Sequence, residues 1–213
     1  MIQQLPTMVR ESPLMRNGGF EVFEGFLDRR WRRVMLDEAI AVSASAVLSN
    51  VGDSDEEEVR GGSPARRFSS ASGGPAQQAL YQSGEILEFL RSITGPSLIP
   101  TGGLGTYTYY ARTGDYLSIH RDIISCDVAV ITCLHDKKET AERGGMCLYP
   151  NRLFDPLSDI RATPDTGAFR LRLLPGQTIV MFGGIVPHAI IPVERGQARV
   201  VSVLCYQLDG MGE

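Results

Sequence analysis

From Leu98 to Leu208 the chain repeats one local theme. Short runs rich in β-branched and aromatic residues alternate with turns: GTYTYYA, DYLSIHRD, CDVAVITCL, GGMCLYP, FRLRLL, QTIVMFG and ARVVSVLCYQL. PDTG, LPGQ and ERGQ supply turn chemistry between them. Strands this short cannot satisfy their main-chain groups alone and must pair with one another. The residues before position 98 read differently. FEGFLDRRWRRVMLDEAIAVSASAVLS predicts a helix with Asp28 as N-cap and Trp31, Val34, Met35 and Ile40 as its apolar stripe. QQALYQSGEILEFLRSITG predicts a second helix, with Leu80, Ile86, Leu87, Phe89 and Leu90 inward and Gly95 ending it. Helices followed by about seven or eight strands predict a mainly β domain supported by N-terminal helices, as a sandwich or jelly roll.

The 213 residues suit one domain, with a helical part over 1–97 and a strand-rich core over 98–208. Residues 51–78 begin acidic and become rich in Gly, Ser and Arg. Their low apolar content predicts a mobile surface loop, either a solvated insertion or a lid. A net charge of −4 without a basic stripe argues against nucleic acid as a partner. No apolar run approaches the roughly 20 residues of a membrane span. The segment MIQQLPTMVRESPLM lacks the apolar stretch of a secretion signal. The four cysteines, Cys126, Cys133, Cys147 and Cys205, form no CxxC pair, which predicts buried reduced thiols in a cytoplasmic protein.

GDYLSIHRD carries the chemistry. Two residues apart on a strand, His120 and Asp122 share a face and could offer an imidazole and a carboxylate to one divalent metal. His188, between QTIVMF and the final strand run, is placed to return to the same spot as a third ligand. Two histidines and a carboxylate on one face of a metal leave adjacent positions open, as in non-heme Fe(II) oxygenases. Arg199 opens an otherwise apolar strand and needs an anion if it faces inward, or solvent if it does not. The HRD triplet is no kinase loop, because position 127 is Asp where that loop needs Asn, and no Asp-Phe-Gly follows.

Several segments, in order, are similar to the Fe(II)/2-oxoglutarate-dependent oxygenase superfamily. YARTGDYLSIHRD resembles its His-x-Asp strand, GGMCLYP its Gly-Gly-x-Leu strand, LPGQTIVMF its Pro-Gly-x-x-Val-x-Phe strand, and PHAIIPVERGQARVVSV its His and Arg strand pair. The resemblance covers roughly Pro100 to Gln207 and is nearest the prolyl-hydroxylase-like and bacterial small-molecule branches. It implies a double-stranded β-helix (a cupin-like jelly roll) with Fe(II) held by His120, Asp122 and His188. It also implies 2-oxoglutarate as cosubstrate, its distal carboxylate on Arg199 and a hydrogen bond from a tyrosine of TYTYY. Of Tyr107, Tyr109 and Tyr110, the resemblance makes Tyr110, at the start of the first motif, that phenol. Strand alternation puts Thr108 on its face and Tyr107 and Tyr109 on the other, and Thr108 and Tyr110 are placed with Arg199 in the cosubstrate site the resemblance implies. The family often carries Arg-x-Ser; here Ser202 is three residues beyond Arg199 and falls on the opposite face.

The implied reaction consumes O2 and 2-oxoglutarate, releases succinate and CO2, and hydroxylates or desaturates a substrate. Related halogenases have Gly or Ala where Asp122 stands, so halogenation is not expected. A compact chain suits a small molecule such as an amino acid or natural-product intermediate, with a protein prolyl or other side chain next. Arg121, Arg152 and His135 are candidate substrate contacts, as are Arg112 and Asn151, although solvated surface roles suit such residues too. A non-catalytic jelly-roll binding module and a metal dioxygenase without 2-oxoglutarate are the rival readings. Nothing in the sequence sets the oligomeric state.

Overall fold

A computed structural model of the chain describes residues 5–52, 60, 62–95, 97–137 and 144–209. Two short helices, α1 (Thr7–Arg10) and α2 (Pro13–Arg16), lead into strand β1 (Phe20–Glu24) and helix α3 (Arg29–Val42). A 3-10 turn at Ser43–Ser45 precedes β2 (Val47–Val51) and β3 (Arg66–Ser72), then α4 (Pro75–Tyr81) and α5 (Gly84–Thr94). Next come β4 (Leu98–Pro100), β5 (Thr106–Tyr110), β6 (Tyr116–His120), β7 (Val128–Asp136) and β8 (Met146–Leu148). After α6 (Leu157–Ala162) the chain ends in β9 (Phe169–Leu171), β10 (Gln177–Met181), β11 (His188–Ile190) and β12 (Arg199–Leu208).

The strands form one antiparallel sheet in the order β1-β10-β7-β12-β5-β3-β6-β11-β8-β9, with β2 added to β3 and β4 to β12. The sheet curls until its ends face each other, and Phe20 on β1 meets Phe169 on β9 with ring centroids 5.3 Å apart. This is a jelly-roll double-stranded β-helix supported by helices. One half, β6-β11-β8-β9, forms the minor wall.

The helices cover the outer face of the major wall. Tyr107 and Tyr109 point at α3, where their hydroxyls donate to Glu38 Oε1 (2.7 Å) and to the Ala39 carbonyl (2.6 Å). Glu38 also accepts from the N–H groups of Gly74, Ala76 and Gln77, fastening the start of α4. Gln77 in turn donates to Ser202 Oγ at 2.7 Å, so Ser202 faces the helices. By alternation, Thr108, Tyr110, Arg199 and Val201 face the interior.

Several expectations are corrected. Residues 1–97 are not simply helical, since β1 forms one end of the sheet path and β3 lies between β5 and β6. Arg66–Ser72 therefore is not part of a loop; residues 53–59 and 61, the acidic stretch of that expected loop, lie outside the described residues. RRFSSAS has one large apolar residue and no β-branched one, so main-chain pairing to β2, β5 and β6 makes it a strand where its side chains do not.

Helix α3, capped by Asp28 accepting from the Trp31 N–H at 2.7 Å, stops at Val42. Its buried residues are Met35 and Ala39, while Val34 and Ile40 are exposed. The alanine-rich stretch beyond it turns into β2, because pairing with β3 outweighs local helix preference. The second expected helix is two, broken at Gln82–Ser83.

The thiols also differ from expectation. Cys126 and Cys205 form a disulfide, with Cα atoms 4.8 Å apart, while Cys133 and Cys147 are free and buried. The β7–β12 register sets Cys205 opposite Ala129, and the chain entering β7 carries Cys126 beside it. Reduced thiols thus no longer support a cytoplasmic location. Among the described residues no helix is long and apolar enough to cross a membrane.

Candidate metal centre

His120 ends β6 and His188 begins β11, and the two are direct partners in the antiparallel register. Ile190 pairs with Leu117, so β6 carries an irregularity between the two pairings. The imidazole rings lie 4.2 Å apart, centroid to centroid. Asp122 follows two residues beyond His120, and its Oδ1 sits 3.4 Å from His120 Nε2 and 3.6 Å from His188 Nε2. One ligand atom from each residue falls within 4.8 Å of the others.

Each imidazole is oriented from behind. His120 Nδ1 lies 2.9 Å from the Ser118 carbonyl, and His188 Nδ1 lies 2.9 Å from the Val186 carbonyl. A carbonyl only accepts, so each Nδ1 carries a proton, and Nε2 on the side of Asp122 is the atom each ring can offer to a metal. Burial, and then His120, lower the His188 pKa from 6.5 to about 4, which keeps that imidazole neutral. Burial alone would raise the Asp122 pKa, but the neighbouring His188, His120 and Arg60 outweigh it and leave it lowered. Two imidazole nitrogens and one carboxylate are a donor set suited to a divalent first-row metal.

Backbone contacts fix the carboxylate. The Asp122 N–H donates to the Gly183 carbonyl at 2.8 Å. A Cβ on Gly183 would collide with Asp122 Oδ2, so only glycine admits the carboxylate in this position. Arg60 donates to the carbonyls of Asp122, Ile123 and Ile124 and to Asp127 Oδ1. The glycine pair after QTIVMF was a readable signal for close backbone approach. Arg60, distant in sequence and inside the expected loop, gave none.

Arg199 is 1% exposed and pairs across the sheet with Tyr110 on β5 and Asp136 on β7. Its Nη1 donates to the Gly144 carbonyl at 2.9 Å and lies 3.9 Å from Asp136 Oδ2. Arg172 holds both oxygens of that same carboxylate, at 2.6 and 2.7 Å. Burial raises the Tyr110 pKa, with Arg199 opposing the rise and Asp115 and Asp122 adding to it. Thr108 is buried on the same face, opposite Val201.

The expected substrate contacts are placed differently. Arg121 donates to the carbonyls of Ile185, Leu153 and Asp155. Arg152 is committed to Asp155 and Thr163. Both brace the loops between β8 and α6, and neither is offered to solvent as a free cation. His135 is exposed and next to the inward-facing Asp136, which puts it on the outer face. Arg112 and Asn151 are exposed.

No protein-family model and no curated protein sequence matches this chain. Solved structures do. A prolyl-4-hydroxylase from Pseudomonas putida superposes with a TM-score of 0.61 at 16% identity, covering 92% of this chain and 96% of that one. The fold is that of the 2-oxoglutarate oxygenases. HygX from Streptomyces hygroscopicus, solved with nickel and 2-oxoglutarate bound, gives a TM-score of 0.64 at 15% identity over 92% of this chain and 85% of that one. The non-heme α-ketoglutarate-dependent epimerase SnoN of nogalamycin biosynthesis gives 0.68 at 16% identity over 100% of this chain and 89% of its own. The expected double-stranded β-helix is therefore present.

Proposed function

We propose that this chain is an Fe(II)- and 2-oxoglutarate-dependent oxygenase that hydroxylates or desaturates a small molecule. The observation that carries the reading is the convergence of His120, Asp122 and His188, with both Nδ1 atoms occupied by carbonyls and both Nε2 atoms turned to the carboxylate. In this reading those three residues hold the iron, and Arg199, with Tyr110 and Thr108 beside it, receives 2-oxoglutarate. The likeness to a prolyl-4-hydroxylase and to an α-ketoglutarate-dependent epimerase supports the reaction class.

Bound Fe(II) would supply O2 activation coupled to decarboxylation of 2-oxoglutarate to succinate and CO2, with oxidation of the substrate. The protein contributes placement. Ser118 and Val186 fix the imidazole rings, and Gly183 leaves room for the carboxylate of Asp122. The buried guanidinium of Arg199 matches the far carboxylate of a keto-diacid in two parallel hydrogen bonds. The Tyr110 phenol, held neutral by burial, can donate to the same cosubstrate.

Anaerobic addition of Fe(II) and 2-oxoglutarate tests the proposal. A weak visible metal-to-ligand charge-transfer band is expected, which His188→Ala abolishes and Arg199→Ala greatly weakens. Wild-type protein without the band would remove the proposed function. Substrate-stimulated succinate release, screened over amino acids, natural-product intermediates and prolyl peptides, then identifies the substrate.

A further inference from the structure

Arg199 is buried with few partners. Its side chain is 1% exposed, yet among the described residues its one hydrogen bond runs from Nη1 to the Gly144 carbonyl at 2.9 Å. A guanidinium carries N–H donors on every nitrogen, and a buried one needs acceptors for them. A buried carboxylate stands directly opposite, because Asp136 is the partner of Arg199 in the β7–β12 register. A register shift puts it there. Val201 pairs with Cys133 and Val200 with His135, so β7 carries one extra residue, Leu134, between the two pairings. Without that bulge the exposed His135 would stand opposite Arg199 instead.

Even so, the two side chains do not close on each other. Arg199 Nη1 stops 3.9 Å from Asp136 Oδ2, beyond hydrogen-bonding distance. Arg172, the residue after β9 on the minor wall, reaches Asp136 first. Its Nη2 donates to Oδ1 at 2.7 Å and to Oδ2 at 2.6 Å. A direct pair between Arg199 and Asp136 would tie the guanidinium to an internal acceptor and compete with any ligand carboxylate for the same donors. With both oxygens of Asp136 held by Arg172, its charge still attracts Arg199 across 3.9 Å without occupying a donor.

We propose that Arg172 is a positioning residue for cosubstrate binding: by holding Asp136 it keeps that carboxylate from capturing Arg199, whose remaining N–H groups then meet the far carboxylate of 2-oxoglutarate. The inference rests on the reading of Arg199 given above and adds a residue that acts only through Asp136 and Arg199.

Calorimetric titration of 2-oxoglutarate into the intact Mn(II)-loaded protein tests it. Arg172→Gln releases Asp136, which should close on Arg199 and weaken 2-oxoglutarate binding roughly tenfold or more. Adding Asp136→Asn to Arg172→Gln removes the captor, and affinity should return to within about threefold of wild type. A merely structural role for the pair gives the opposite order, with the double variant no better than the single one. Arg172→Lys, with its charge on a shorter reach, should fall between wild type and Arg172→Gln, and gives the same reading should the glutamine variant not fold. The rise in melting temperature with Ni(II) should be alike in all of these proteins, since neither position belongs to the triad. Unchanged affinity in Arg172→Gln and Arg172→Lys, or a double variant as weak as the single one, overturns the proposal. Arg199→Ala tells its failure from that of the underlying reading. If Arg199→Ala binds 2-oxoglutarate as wild type does, the cosubstrate site itself is misplaced and the role of Arg172 falls with it. A weakened Arg199→Ala beside a wild-type-like Arg172→Gln removes the role of Arg172 alone.

Discussion

His120 and His188 face each other across the β6–β11 ladder as register partners, rings 4.2 Å apart. No loop has to move to bring them together; main-chain pairing does it. Ni(II), as a redox-inert probe, should raise the melting temperature of the wild-type protein. His120→Ala or His188→Ala should each lose most of that rise, because two of three donors hold a metal far less tightly. Scanning calorimetry with and without Ni(II) decides it, and an equal rise in both variants would rule out this pair as ligands.

Gly183 sets the position of the third donor. Gly183→Ala places a methyl where Asp122 Oδ2 stands, so the carboxylate must turn away. Metal affinity should fall roughly tenfold or more, with a stability loss of about 1–3 kcal/mol from overpacking. Calorimetric titration against Gly84→Ala, whose added methyl meets nothing within 4 Å, separates a local from a general effect.

Acid should destabilise the metal-free protein in a defined window. The folded pKa of His188 is lowered to about 4 from 6.5, so the unfolded chain takes up the proton first as pH falls. Stability contributed by neutral His188 is whole above pH 6.5 and is lost as pH drops towards 4, by about 3 kcal/mol at most. Asp122, also lowered, adds a loss that begins below its ordinary 3.8. Melting temperatures of wild type and His188→Gln should converge in slope above pH 6.5 and diverge below it, the wild type falling faster. Parallel curves would contradict this.

Arg199 shares Asp136 with Arg172, so removing it does not strand the carboxylate. Arg199→Ala should therefore fold, yet bind 2-oxoglutarate roughly a hundredfold more weakly, as loss of two charge-assisted hydrogen bonds implies. Arg199→Lys should recover only part of the loss, since an ammonium cannot match both oxygens. Fluorescence titration with Mn(II) present reads the dissociation constants.

Reduction gives a further check. Denatured without reductant, the protein should titrate two thiols, Cys133 and Cys147, and four after reduction. The Cys126–Cys205 bond spans 79 residues, and its reduction should cost roughly 2–5 kcal/mol in unfolding stability. Four thiols at the outset would show that the bond does not form in solution.

Much of this site was legible locally. Alternation separates Thr108 and Tyr110 from Tyr107 and Tyr109, and the spacing from Arg199 to Ser202 splits those two between opposite faces. These readings follow from a period of two, which is a property of a few adjacent residues. Asp122, expected on the strand with His120, lies just past its end and is placed by Gly183 instead. What the residues could not declare is who meets whom. RRFSSAS has no strand signature of its own, and becomes a strand because β2, β5 and β6 all pair with its main chain. Arg60 reaches the Asp122 loop, Arg172 reaches Asp136, and Cys126 reaches Cys205 only after the sheet has curled. Sequence alone determined the alternation, the turns and the chemical identity of the donors. Tertiary structure decided register, closure and pairing, because those depend on main-chain ladders joining segments far apart in the chain, where side-chain pattern carries little information.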